Sequence, residues 1–165
     1  MHRRPATIEE ARALSNPLRL RILRLCLDRA LTNKELAGRL GRDPGTILHH
    51  VRVLVETGFL APAEERRGAR GSTERPYQAT GKSWTLDVGD DLEGSLAVVD
   101  ALREELAETA PEDLATLSRL GVRLTPEALA SFRERFAALI EELHAADDPE
   151  GDPYGFLGAA HRRRE

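Results

Sequence analysis

Residues 32–60 read TNKELAGRLGRDPGTILHHVRVLVETGFL. Thr32 is followed three residues later by Glu35. At that spacing an N-cap hydroxyl and an N3 carboxylate each accept a hydrogen bond from the other residue's backbone N–H. The pattern predicts a helix from Asn33 to Leu40 that buries Leu36, Ala37 and Leu40, with Gly41 as its C-terminal stop. Asp43-Pro44 repeats the start signal, a cap followed by proline at the first helical position. The helix it opens, 44–57, ends at Gly58. Only Gly41 and Arg42 separate the two helices. Two short helices joined by a tight glycine-containing turn make a helix-turn-helix unit.

Working outward, residues 7–14 predict a short helix capped by Thr7, with Glu9 and Glu10 favoured by the dipole in its first turn. Asn16-Pro17 restarts the chain. Residues 17–29, PLRLRILRLCLDR, place Leu18, Ile22, Leu25 and Cys26 on one helical face and Leu20, Leu23 and Leu27 on the opposite one. Arg21, Arg24 and Asp28 form the remaining polar strip. A helix apolar on two faces sits between two layers, which makes Cys26 a core residue and not a reactive thiol. Beyond Gly58, Phe59–Glu65 reads as a strand, 66–71 as a flexible basic loop and Thr73–Ala79 as the return strand. Helix, helix-turn-helix and arginine-tipped hairpin, in that order, describe a winged helix, in an α+β and mostly α chain.

The second half predicts a helix from Leu92 to Glu108 with Leu92, Leu96, Val99, Leu102 and Leu106 on one face. Pro111 opens a short helical turn carrying Leu114 and Leu117, and Gly121–Leu124 reads as a strand. Thr125-Pro126 caps a helix that buries Leu129, Phe132, Phe136, Leu139, Ile140 and Leu143. A polar linker, Asp147–Pro153, leads to a last strand, Tyr154–Ala160.

Composition supports a division after residue 82. The 165 residues carry a net charge of −4, but residues 1–82 hold 16 Lys and Arg against 9 Asp and Glu, and residues 83–165 hold 8 against 19. The halves are therefore +7 and −11. A basic half joined to an acidic half predicts that one part meets a polyanion and the other does not. No stretch approaches the ~20 apolar residues of a membrane helix, and the start MHRRPATIEE lacks an apolar leader core. A single cysteine excludes internal disulfides and multi-cysteine metal sites. The expectation is a cytoplasmic protein without a cofactor.

In a helix-turn-helix, the start of the second helix enters the major groove. There Gly45 permits close approach to a phosphate, while Thr46, His49, His50 and Arg52 face away from the buried Ile47, Val51, Leu54 and Val55. His50 has an alternative role, packing against or hydrogen-bonding the preceding helix. Arg66, Arg67 and Arg70 of the hairpin tip, with Arg75 beside them, are candidates for the DNA backbone or minor groove. Such contacts supply affinity and salt dependence; about six neutralised phosphates give a slope of log K against log salt of about −5.

The blocks Asn16-Pro17-Leu18-Arg19-Leu20-Arg21-Ile22-Leu23, Leu36-Ala37 and 46–60, TILHHVRVLVETGFL, followed by Arg75-Pro76-Tyr77-Gln78-Ala79-Thr80, resemble the ArsR-type winged helix-turn-helix regulators of bacteria over residues 8–82. The resemblance implies a homodimeric transcription regulator, usually a repressor, paired through terminal helices on a pseudo-palindromic operator of double-stranded DNA. The metal-sensing members carry paired cysteines in the first helix of the motif or Asp and His on the C-terminal dimer helix. Neither set occurs in Thr32–Leu40 or Leu92–Glu108, so no metal site is expected. Glu141 and His144 could meet a metal but lack further ligands. The long acidic half resembles the extended members of the family, with an unidentified small-molecule effector as an added partner.

Catalytic patterns are missing. Gly81-Lys82-Ser83 ends like a phosphate-binding loop, but position 76 is proline where that loop requires glycine. No G-x-S-x-G, H-E-x-x-H or dinucleotide fingerprint occurs. The competing class is a winged-helix adaptor for another protein, which has little use for an arginine-tipped hairpin beside an arc of hydrogen-bonding side chains.

Overall fold

The computed structural model describes residues 3–68, 71–87 and 92–162, with the side chains of Leu92 and Glu93 left aside. The fold is α+β and mostly helical, and it divides into two compact units, Met1–Glu108 and Thr109–Glu165.

In the first unit, strand β1 (Arg4–Pro5) precedes helix α1 (Ile8–Leu14). Thr7 caps α1, and Glu10 reaches back to the Thr7 N–H, a full capping box. Helix α2 (Pro17–Leu25) is capped by Asn16. It stops four residues short of the expected end, where the carbonyls that follow it are taken by groups from elsewhere in the chain. The Ala79 N–H and the Gln78 amide both donate to the Cys26 carbonyl at 2.9 Å, and Gln78 also donates to the Leu27 carbonyl. Strand β2 (Leu31–Thr32) leads into α3 (Asn33–Leu40) and α4 (Pro44–Glu56). Gly41 sits at φ 59°, a left-handed value that favours glycine, and this turns the chain between the two helices.

The expected strand 59–65 is interrupted. Within it only β3 (Leu60–Pro62) is strand; β4 (Arg66–Arg67) follows, and the return splits into β5 (Thr73–Glu74) and β6 (Pro76–Ala79). β6 is the centre of a three-stranded antiparallel sheet, with Leu31 opposite Tyr77 on one side and Leu60 opposite Ala79 on the other. β4 and β5 form the wing, with Arg66 opposite Glu74 and Arg67 opposite Thr73. Arg66 and Arg67 therefore belong to the ladder and not to a loose tip. A 3-10 turn (Lys82–Thr85) and β7 (Leu86–Asp87) follow, and β7 pairs in parallel with β1.

Ile22, Cys26, Leu36, Ile47, Val51, Leu54, Phe59 and Leu60 form the core beneath the two helices of the motif. Burial pushes the Cys26 thiol up to about 12, which makes it the inert core residue expected.

Helix α5 (Leu92–Glu108) has the expected bounds. Ala97 and Ala101 are buried against the unit, where α5 packs on α1 and α2, while Leu96, Val99 and Leu106 are exposed. Small residues allow the helix axes to approach closely; of the leucine stripe Leu96, Val99 and Leu106 are left outward, and Leu102 is half-buried. Arg21 also departs from its expected place in a solvated strip. It is buried and paired with Glu104 at 3.0 Å and with Glu108.

In the second unit a single 3-10 turn (Pro111–Asp113) precedes irregular chain, so Leu114 and Leu117 lie outside any helix. Residues 121–124 and 154–160 form no strand, since neither segment finds an edge to pair with. Helix α6 (Pro126–Ala145) is capped by Thr125 as expected. Its stripe is not buried: Leu129, Phe132, Leu139 and Leu143 are exposed and only Phe136 and Ile140 are half-buried. Phe132 and Phe136 stack at 5.8 Å.

Candidate nucleic-acid interface

Helix α4 is fixed at both ends and along one side. At its start the Asp43 carboxylate accepts from the Gly45 and Thr46 N–H groups at 2.8 and 3.1 Å. The Asn33 amide, at the start of α3, donates to the Pro44 carbonyl at 2.9 Å and so ties the two helices together. Ile47, Val51 and Leu54 lock one face into the core. Thr46, His49 and Arg52 on the other face are exposed. A rigid helix whose free arc carries a hydroxyl, an imidazole and a guanidinium can offer hydrogen bonds to base edges and phosphates without rearranging.

Gly45 has a more local role than expected. Its N–H is already bonded to Asp43, and a Cβ there would come within 2.9 Å of the same carboxylate. The position suits the cap.

His50 lies half-buried, and its Nδ1 is buried without a hydrogen-bond partner among the described residues. Burial, with added repulsion from Arg19 and His49, holds its pKa below that of a free imidazole. The ring meets His49 edge-on at 5.4 Å. Of the two histidines, His49 is the exposed one.

On the wing, Arg66 is paired twice. Its guanidinium donates to Glu35 at 2.5 Å and to Glu74 at 3.3 Å. Glu35 also closes the capping box of α3 through the Thr32 N–H and hydroxyl. These Thr32 bonds, and after them Arg66, hold the Glu35 carboxyl down at about 2. Arg66 therefore links the wing to the start of α3. Arg67 and Arg75 are exposed and carry no ion pair among the described residues, while Arg70 lies outside those residues. Two cations that the hydrophobic pattern did not single out, Lys34 on α3 and Arg42 in the turn, are also exposed and carry no ion pair among the described residues. Their signal in the sequence was their place beside the two caps.

Lys82, read from sequence as the end of a failed phosphate loop, is committed inside the fold. It donates to the Thr57 carbonyl at the end of α4 at 2.6 Å and pairs with buried Glu10 at 2.7 Å. Arg4 adds a two-pronged pair to Glu10. Together with Lys82 and the Thr7 N–H, Arg4 holds that carboxyl well below the usual range.

Among the described residues no group of three or more His, Cys, Asp or Glu side chains could hold a metal ion, and no helix is long and apolar enough to cross a membrane. Residues 14–62 match the model of a family described as helix-turn-helix domain. The match spans α2, α3, α4 and β3, so the chain carries a helix-turn-helix DNA-binding domain. No curated protein matches the chain.

Proposed function

We propose that the protein is a cytoplasmic, homodimeric transcription regulator of the ArsR type, a repressor that binds a pseudo-palindromic operator. Residues 1–82 read DNA, and residues 83–165 supply dimerisation and response to an effector. The observation that carries this reading is the exposed arc Thr46, His49 and Arg52 on a helix whose opposite face is locked in the core. In this reading Thr46 and His49 meet base edges, His50 orients its neighbour, and Arg52, Arg67, Arg70 and Arg75 meet phosphates. Gly45 keeps the helix start clear of side-chain bulk. Arg66 acts by holding the wing in place.

The outward stripe of α5 supports dimerisation. Leu96 is 54% exposed and Val99 46% exposed, on the face opposite Ala97 and Ala101. Contiguous apolar residues on one face of a monomer mark an interaction surface. Pairing of two copies through this stripe would supply the two-fold symmetry that a pseudo-palindromic operator requires.

The test is a gel shift with duplex DNA from upstream of the protein's own gene against unrelated duplex of equal length, with light scattering of the free protein. The expected result is retarded dimeric complex on the upstream DNA alone. Equal retardation of both duplexes overturns sequence-specific regulation, and a monomer in light scattering overturns the dimer.

A further inference from the structure

A groove of about 180 Å³ opens between α2, α5 and the 81–84 turn. Its floor and walls are Leu23, Leu27, Phe59, Leu102 and the indole of Trp84. For scale, an apolar cavity of about 150 Å³ accommodates a benzene ring. The volume therefore suits a one-ring molecule with a small substituent. Two charged side chains reach the groove, Arg24 and Glu105. Glu105 already has a partner, whereas Arg24 is exposed with no ion pair among the described residues. The Ser83 hydroxyl stands on the same lining. We propose that this groove is a binding site for a small aromatic carboxylate, its ring against Trp84 and Leu27 and its carboxylate on Arg24.

The regulatory consequence rests on the function proposed above. The wall that carries Ser83 and Trp84 also carries Lys82, which grips the Thr57 carbonyl at the end of α4 and buried Glu10. Phe59 follows α4 directly and lies under Lys82, whose Nζ is 5.2 Å from the ring centroid. A ligand that shifts the 81–84 turn therefore pulls on the C-terminal anchor of the helix proposed to read DNA. The opposite wall is α5, which Arg21 ties to α2. Occupancy can thus change both the pitch of α4 and the angle of the proposed dimer helix.

Trp84 is the only tryptophan and reports its own groove. Full-length protein is titrated with benzoate and, separately, with benzyl alcohol, and indole emission is followed. The expected result is a saturable change with benzoate, with benzyl alcohol binding about tenfold more weakly because it forfeits a charge-assisted hydrogen bond. Arg24→Gln, a surface change, should abolish that preference while leaving the melting temperature unchanged. No response to benzoate, or equal affinity for the two ligands, overturns the proposal. Emission that varies with protein concentration and not with benzoate assigns the groove to a second copy and also overturns it. DNA binding measured on the same samples separates the two readings: specific binding that benzoate leaves unchanged, despite an emission response, removes the regulatory link but keeps the site. An emission response in a protein that ignores DNA removes the regulator and keeps the site.

Discussion

Replacing the two wing arginines one at a time should separate a phosphate contact from a structural link. Arg67 is exposed on β4 with no ion pair among the described residues, so its charge is free for a phosphate. Arg66 is held at 2.5 Å by Glu35 and at 3.3 Å by Glu74. To meet DNA it would have to abandon two carboxylates and leave both facing a polyanion. Each phosphate neutralised contributes about 0.9 to the slope of log K against log salt, so Arg67→Ala should flatten the slope by about 2 in a dimer. Arg66→Ala should leave the slope within experimental error and weaken binding through disorder of the wing. The assay is fluorescence anisotropy of a labelled duplex across a salt series, with thermal melting as a control for folding. If Arg66→Ala flattens the slope as much as Arg67→Ala does, the link is not maintained in the complex and the reasoning fails.

Acid should destabilise the first unit in a defined window. The Glu35 carboxyl lies at about 2 against an ordinary 4.5, so its stabilisation is complete above 4.5 and is lost as pH falls toward 2. Glu10 adds loss of the same sign. Glu35→Gln keeps the amide capacity of a capping box but not the charge, and chemical denaturation across that range should show a shallower pH dependence than wild type. Arg21→Ala should cost about 1–3 kcal/mol in a urea titration, since it removes a buried side chain from two carboxylates. Glu108→Gln, whose parent side chain is 59% exposed, should cost less than ~1 kcal/mol; the reverse order would contradict the burial pattern. Leu96→Asp with Leu106→Asp should give a folded monomer in light scattering, whereas Ala101→Asp should unfold the unit. A folded dimer in the first case rules out the α5 seam.

The helix-turn-helix was legible because its signals are local. Thr32 with Glu35, Gly41, and Asp43 with Pro44 fix their helices through bonds spanning two to four residues, and the structure has each of them. What sequence reading missed depends on distant partners. α2 ends early where β6, more than fifty residues later, takes the carbonyls that follow it. Arg21 and Arg66 look solvated until Glu104 and Glu35 are brought beside them across 83 and 31 residues. The β1–β7 pair joins two-residue segments too short for any periodicity. On α5 the 3.6-residue period identified the leucine stripe correctly but could not say which face meets the chain's own core and which is left outward. The exposed arc of α4 was legible as a face, whereas the Asp43 capping of Gly45 and the burial of the His50 Nδ1 became visible only with the surrounding backbone in place.

The most direct test of the central claim is selection of bound duplexes from a random pool by the wild-type protein and by a Thr46→Ala, His49→Ala variant. The account predicts that wild type enriches a two-fold symmetric motif, and that the variant binds with a similar salt slope but loses preference at one or two base pairs in each half, at about 1–3 kcal/mol apiece. Enrichment of the same motif to the same degree by both proteins, or of no motif by either, would contradict it.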